Sequence, residues 1–184
     1  MHVLQYIAVK IDDEINEVFS IDEGKEVAYD TVRERFEEMY SESEGLGGWS
    51  DWYVVGGGRW NSNPENQYEE AWNDVISYKE SSDTFREKIT LSIASRIDEF
   101  NVYRKHFADK QVSLEDTLNS YNGQMDFSFD LYPLGKMIDM LQGNWDFNSY
   151  FYDLTNYSTN TKYVLDDLDT NGDFWYIVPV DFHF

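Results

Sequence analysis

A surplus of carboxylates constrains this chain more than any other feature. Its 36 Asp and Glu stand against 14 Lys and Arg, a net charge of −22 over 184 residues. Self-repulsion at that level opposes compaction, so a folded state needs a strongly cohesive interior. Aromatic residues supply one: Phe, Trp and Tyr make up 17% of the chain, whereas acidic disordered segments are poor in them. The length suits one domain. Cysteine is absent, which excludes disulfides and thiolate metal sites. No apolar run approaches the roughly 18 residues of a spanning helix, so no membrane partner is expected. The opening MHVLQYIAVK alternates like a strand and lacks the pattern of a signal peptide. A reducing cytoplasm is the expected compartment.

Hydrophobic periodicity divides the chain into two similar flanks and a middle. In the first flank, residues 3–9 read as a buried strand, 25–42 as an amphipathic helix with Ala28, Val32, Phe36 and Met39 inward, and 52–55 as a second strand stopped by Gly56, Gly57 and Gly58. In the last flank, 150–154 reads as a strand, 161–168 as a short helix, 169–173 as a turn and 174–184 as a closing strand. Pro179 cannot donate to a ladder, which favours a sheet edge or a bulge there. Two β-α-β halves predict an α+β fold: a ferredoxin-like, split β-α-β sheet with helices on one face. Residues 1–60 and 148–184 would form this core, and 65–142 a helical insertion. Within the insertion, Phe85, Ile89, Ile93, Ile97, Phe100, Tyr103 and Phe107 form a continuous stripe along a helix over 84–107, with Asp83 as N-cap. A further helix is expected over 133–141, with Pro133 in its first turn.

The acid is concentrated in the flanks. Residues 12–51 hold 14 acids and 3 bases, and residues 126–184 hold 10 acids and 2 bases. Along the first helix Glu26, Asp30, Glu34 and Glu38 recur every four residues, with Glu37 alongside. Like charges at that spacing cost a few tenths of a kcal/mol each, relieved in part if Arg33 pairs with Glu37 and Arg35 lies near Glu38. A compact domain of this length spans about 40 Å, and 40 Å of duplex DNA carries about 24 charges. The net charge is therefore comparable with that of the DNA it could displace from a basic groove. The residues expected to meet such a groove are the helix row Glu26, Asp30, Glu34, Glu37 and Glu38, the loop Asp12, Asp13 and Glu14, and the turn acids Asp166, Asp167, Asp169 and Asp173. Direct nucleic-acid binding is not expected, because no basic stripe is visible.

The segment WSDWYVVGGGRW at 49–60 is the most distinctive. Glycines after a strand permit unusual backbone angles or close approach, and Gly57, Gly58 and Arg59 offer a clamp for an anion. A Gly-Lys-Ser/Thr phosphate loop is absent. The plainer reading is a tight turn with Trp52 and Trp60 in the core. Together with the ending VDFHF, the segment resembles a group of small phage-encoded proteins with a D-W-Y-x-V-G-G-R-W run and a terminal V-D-F-H-F. That resemblance implies a phage origin and a ferredoxin-like core, and no reaction. This chain has three glycines where the group usually has two. In charge alone the chain resembles acidic phage anti-CRISPR and antirestriction inhibitors. The expected function is therefore inhibition of a host defence nuclease, a Cas effector or a restriction enzyme, by acidic DNA mimicry in the host cytoplasm, without enzymatic activity or cofactor. One alternative is a binder of a small anionic ligand, or an enzyme, using the glycine turn, Arg59 and His183, which requires a concave pocket at the turn. The other is an acidic structural protein.

Two weaker patterns complete the reading. Residues 167–173 (DLDTNGD) match the first half of a calcium-binding loop, but Val178 stands where its bidentate Glu belongs, so a turn is expected. Asp181 and His183 share a strand face. The three histidines His2, His106 and His183 lack metal-ligand spacing, and His2 meets His183 only if the first and last strands pair.

Overall fold

The computed structural model describes residues 2–11, 20–42, 52–66, 71–110, 131–142 and 150–183. In chain order the elements are β1 (His2–Lys10), α1 (Ile21–Glu42), β2 (Trp52–Val55), β3 (Ile76–Ser77), α2 (Ser82–Lys110), α3 (Leu131–Gln142), β4 (Phe151–Asp153), α4 (Lys162–Asn171) and β5 (Trp175–His183). The strands form a mixed sheet ordered β2-β5-β1-β4, with β3 also paired to β5. Only β1 and β4 run parallel among these pairs.

Strand β5 is buried along its whole length up to His183, and the middle of β1 is buried as well. Alternate residues therefore feed two cores. Ile7, Val9, Val178, Val180 and Phe182 pack with Ala28, Tyr29, Val32 and Phe36 of α1 on one face. Tyr6, Ala8, Trp175 and Ile177 pack with Phe85 and Ile89 of α2, Phe151 of β4 and Val164 and Leu168 of α4 on the other. This corrects the expectation of helices on one face. A strand that is apolar at both odd and even positions has no solvent side to offer. Strand order differs too. A split β-α-β sheet would place β4 beside β2 and leave β5 on an edge, whereas here β5 lies between β1 and β2. The segment expected as an insertion supplies β3 and, through Phe85 and Ile89, part of the second core. Its apolar stripe is buried at the start of α2, at Phe85 and Ile89, whereas Ile93 and Ile97 are exposed.

Pro179 sits in a central strand, neither at an edge nor in a bulge. Its carbonyl accepts from the Gly56 N–H at 2.8 Å. In an antiparallel ladder a residue's N–H and C=O point to the same neighbour, so the missing donor also faces that side. There β2 pairs with 180–183 and β3 with 176–177, so the prolyl nitrogen falls in the gap between them.

Local signals set the helix ends. α1 begins at 21 rather than 25 because Ser20 and Glu23 form a reciprocal cap. The Ser20 N–H donates to Glu23 Oε2 at 2.7 Å and the Glu23 N–H to Ser20 Oγ at 3.3 Å. α2 begins at Ser82 with the Phe85 N–H bonded to the Ser81 carbonyl at 2.9 Å, so Asp83 lies inside the helix instead of capping it.

Asp153, fully buried, organises the turn after β4. Its Oδ1 accepts the Thr155 and Asn156 N–H groups at 3.0 Å each and its Oδ2 the Asn156 side-chain amide at 2.7 Å. Burial nevertheless raises its carboxyl above the ordinary value, against the pull of those donors. A raised folded pKa means that protonation stabilises the fold. That contribution is complete below the unfolded aspartate value of about 3.9 and is lost as pH climbs through the raised one. Chemical denaturation of wild type and Asp153→Asn across this range should show the wild type losing stability relative to the variant as pH rises; a constant difference would refute the assignment.

Candidate functional site

The carboxylates expected to act as one array divide between the two faces of the sheet. Asp12, Asp13 and Glu14 lie outside the described residues. On α1, the core side carries Ala28, Val32 and Phe36, so Glu26, Asp30, Glu34 and Glu37 fall on the outer side, with Glu38 exposed beside them. Arg33 pairs with Asp30 at 2.9 Å rather than with Glu37, and Arg35 pairs with Glu38 at 2.9 Å. Glu26, Glu34 and Glu37 form no ion pair with a described residue. The other acids lie on and beyond α4, across the sheet, and each has a cation. Asp166 pairs with Lys162, Asp167 with Lys10 at 2.9 Å, Asp169 with Arg86 at 3.3 Å and Asp173 with Lys79 at 3.8 Å. Asp167 also accepts from the Trp175 indole N–H at 2.9 Å and the Asn171 amide at 2.7 Å. Residues 167–171 are the end of α4 and 172–174 a 3-10 turn, so the calcium-loop pattern is helical here.

The glycine turn builds a different site. Gly56, Gly57 and Gly58 have φ of 97°, 94° and 50°, a run that L side chains adopt at a cost of roughly 1–2 kcal/mol per residue. The turn carries the chain back over β5. A Cβ on Gly58 would lie 2.7 Å from the Cβ and Oδ2 of Asp181, and the Arg59 N–H donates to Asp181 Oδ2 at 3.2 Å. Asp181 is 1% exposed. Its carboxylate also faces His2 Nδ1, at 3.0 and 3.1 Å from the two oxygens. A hydrogen on Nδ1 satisfies that contact.

Pairing of the first and last strands brings the two terminal histidines into register, His2 opposite His183. Their rings meet edge to face with centroids 4.8 Å apart. Asp181 thus engages the histidine across the ladder, not His183 two residues along. Trp52 stacks on His183 at 5.0 Å, and His2 meets Trp52 and Trp60 edge-on at 5.3 and 6.0 Å. Both indoles are surface groups, 39% and 42% exposed, which corrects their expected place in the core. Trp52 starts the edge strand β2, and the turn lifts Trp60 outward. Among the described residues no group of three His, Asp or Glu is placed to hold a metal ion.

Trp60 is also a wall of a cleft of about 420 Å³ over the gap that Pro179 leaves in the sheet. Leu4, Tyr6 and Pro179 are among its apolar lining residues, with Ser62, Asn73 and Asp74 on the polar side. Asn61 ties this polar side to the turn, donating to the Gly56 carbonyl at 2.8 Å and to Asn73 Oδ1 at 3.1 Å. Asp74 accepts from the Ser62 N–H and hydroxyl and from the Asn73 amide. Of the two lysines in the lining, Lys25 pairs with Glu80. Lys88 Nζ sits over the Tyr6 ring, 5.0 Å from its centroid, without an ion pair to a described residue. Arg59 likewise has no such pair, and its guanidinium lies 5.8 Å from the Trp60 ring centroid. Burial raises the phenols of Tyr6 and its hydrogen-bonded neighbour Tyr150, the latter to about 12, so both remain O–H groups at neutral pH. Lys88, Tyr6, Asn73 and Asp74 had no local signature in the sequence. Their only common property is a position around Pro179.

The close approach at Gly58 makes a direct test. Gly58→Ala should cost about 2 kcal/mol in urea denaturation, from left-handed backbone strain and contact with Asp181, and should shift the His2 ring resonances. A loss under about 0.5 kcal/mol with unshifted resonances would show that the turn does not press on this carboxylate. No family model, curated protein or solved structure matches the chain.

Proposed function

We propose that this protein binds a small anionic molecule in the cleft beside the glycine turn, with Arg59 and Lys88 as its cationic contacts. One observation carries the reading. On a chain of net charge −22, eight bases, among them Lys10, Lys25, Arg86 and Lys162, have carboxylate partners. Arg59, Lys88, Arg104 and Lys105 have none among the described residues; of these, Lys88 lines this cleft and Arg59 holds its guanidinium over the cleft's Trp60 wall. An unpaired cation in a strongly acidic surface is an anion site in waiting. The size of the cleft suits small-molecule recognition. The described parts of the two segments that carry the resemblance to phage proteins, 52–60 and 180–183, also meet here through the pairing of β2 with β5 and the contact of Arg59 with Asp181.

A thermal-shift screen of small carboxylates and phosphates at constant ionic strength tests the reading. A ligand at 100 times its dissociation constant adds about 2.7 kcal/mol, so a binder should raise Tm by several degrees, and Arg59→Ala with Lys88→Ala should remove the shift. No shift with any anion, or a shift that survives the double variant, would refute it.

A second reading rests on α1. Its outer face keeps Glu26, Glu34 and Glu37 without cations, in a row from Glu23 to Glu38 about 22 Å long. We keep for that face the proposal that a phage-encoded inhibitor occupies the basic nucleic-acid groove of a Cas effector or restriction enzyme. The α4 acids are left out, because they are already neutralised. Glu26→Lys with Glu34→Lys should then abolish competition with DNA for such a nuclease while leaving the anion-induced Tm shift intact; unchanged competition would exclude this face.

A further inference from the structure

The cleft points to a narrower ligand class, and we propose that it takes a mononucleotide: a flat nitrogenous ring against Trp60, with its phosphate between Arg59 and Lys88. This rests on the anion-binding reading above and adds the ring. Three features of the lining support it. Trp60 keeps 42% of its surface exposed while forming a wall of the cleft, and an exposed indole can stack on a base. Arg59, one residue away, holds its guanidinium over the same indole, so a single turn presents a stacking surface and a phosphate donor side by side. On the side tied to the turn, Ser62, Asn73 and Asp74 form a hydrogen-bonded polar edge of the cleft. Asp74 accepts from Ser62 and Asn73, and a carboxylate with about four lone-pair directions retains capacity for an exocyclic amino group. An aliphatic anion would use the cations but leave the indole and this polar edge idle.

Calorimetric titration with AMP, adenosine and ribose 5-phosphate at one ionic strength separates the parts. AMP should bind at least tenfold more tightly than either fragment. Arg59→Ala with Lys88→Ala should bring AMP down to the adenosine level and leave adenosine unchanged. Trp60→Ala should bring AMP down to the ribose 5-phosphate level, and Trp60→Phe should retain most of the affinity; the exposure of Trp60 keeps these variants folded, as circular dichroism would verify. Ribose 5-phosphate binding as tightly as AMP would overturn the nucleotide assignment and leave the anion reading standing. So would a failure of all three ligands while other anions still raise Tm, or AMP binding that survives Trp60→Ala. Adenosine binding as tightly as AMP would overturn both.

Discussion

Everything in this molecule depends on β5 being buried on both faces while lacking one backbone donor. Its odd residues face α2 and α4 and its even residues face α1, so it joins the two cores. A shift of one residue would exchange the two sets and put Asp181 into the α1 core. The missing N–H of Pro179 prevents a continuous neighbour on the β2 and β3 side. The structure resolves this by giving β5 two short partners, β2 and β3, with the glycine turn crossing between them. The cleft lies over that interruption. Fold and candidate site are thus two consequences of one strand.

The charge has a different logic. Most described cations of this acidic chain are used internally, four of them to neutralise the acids on and after α4. This leaves Glu26, Glu34 and Glu37 uncompensated on the outer face of α1, and Arg59 and Lys88 as cations uncompensated at the cleft. The outer row of α1 and the cleft are built mainly on opposite faces of the sheet, since α1 covers one side and the His2–Asp181 pair, Tyr6 and Lys88 belong to the other, with Lys25 at the start of α1 reaching the cleft lining. A partner on α1 and a ligand in the cleft would therefore be recognised by separate surfaces.

Local chemistry was legible. The Gly-rich stop after β2, the amphipathic pattern of α1, Pro133 in the first turn of α3 and the strand character of both ends follow from residues within a few positions of one another. The possible meeting of His2 and His183 was also legible, conditional on pairing of the end strands. The one-face helix arrangement failed for a physical reason: β1 and β5 carry apolar residues in both alternations, and period-two counting cannot separate a wide core face from two core faces. The exposure of Trp52 and Trp60 was missed because large aromatic residues are mostly buried, and only their place at an edge strand and on a turn brings them out.

The amino-acid order alone determined most of the strands and helices, where the backbone must turn with positive φ, and how much charge the surface has to carry, because those depend on neighbours in the chain; β3, in a segment expected to be helical, is a strand through its pairing with β5. Tertiary structure decided which carboxylates are neutralised, that Asp181 engages His2 rather than His183, and that a proline inside a central strand opens a cleft. Those outcomes depend on contacts between residues separated by as many as 179 positions, whose register is set by packing on both faces of one sheet.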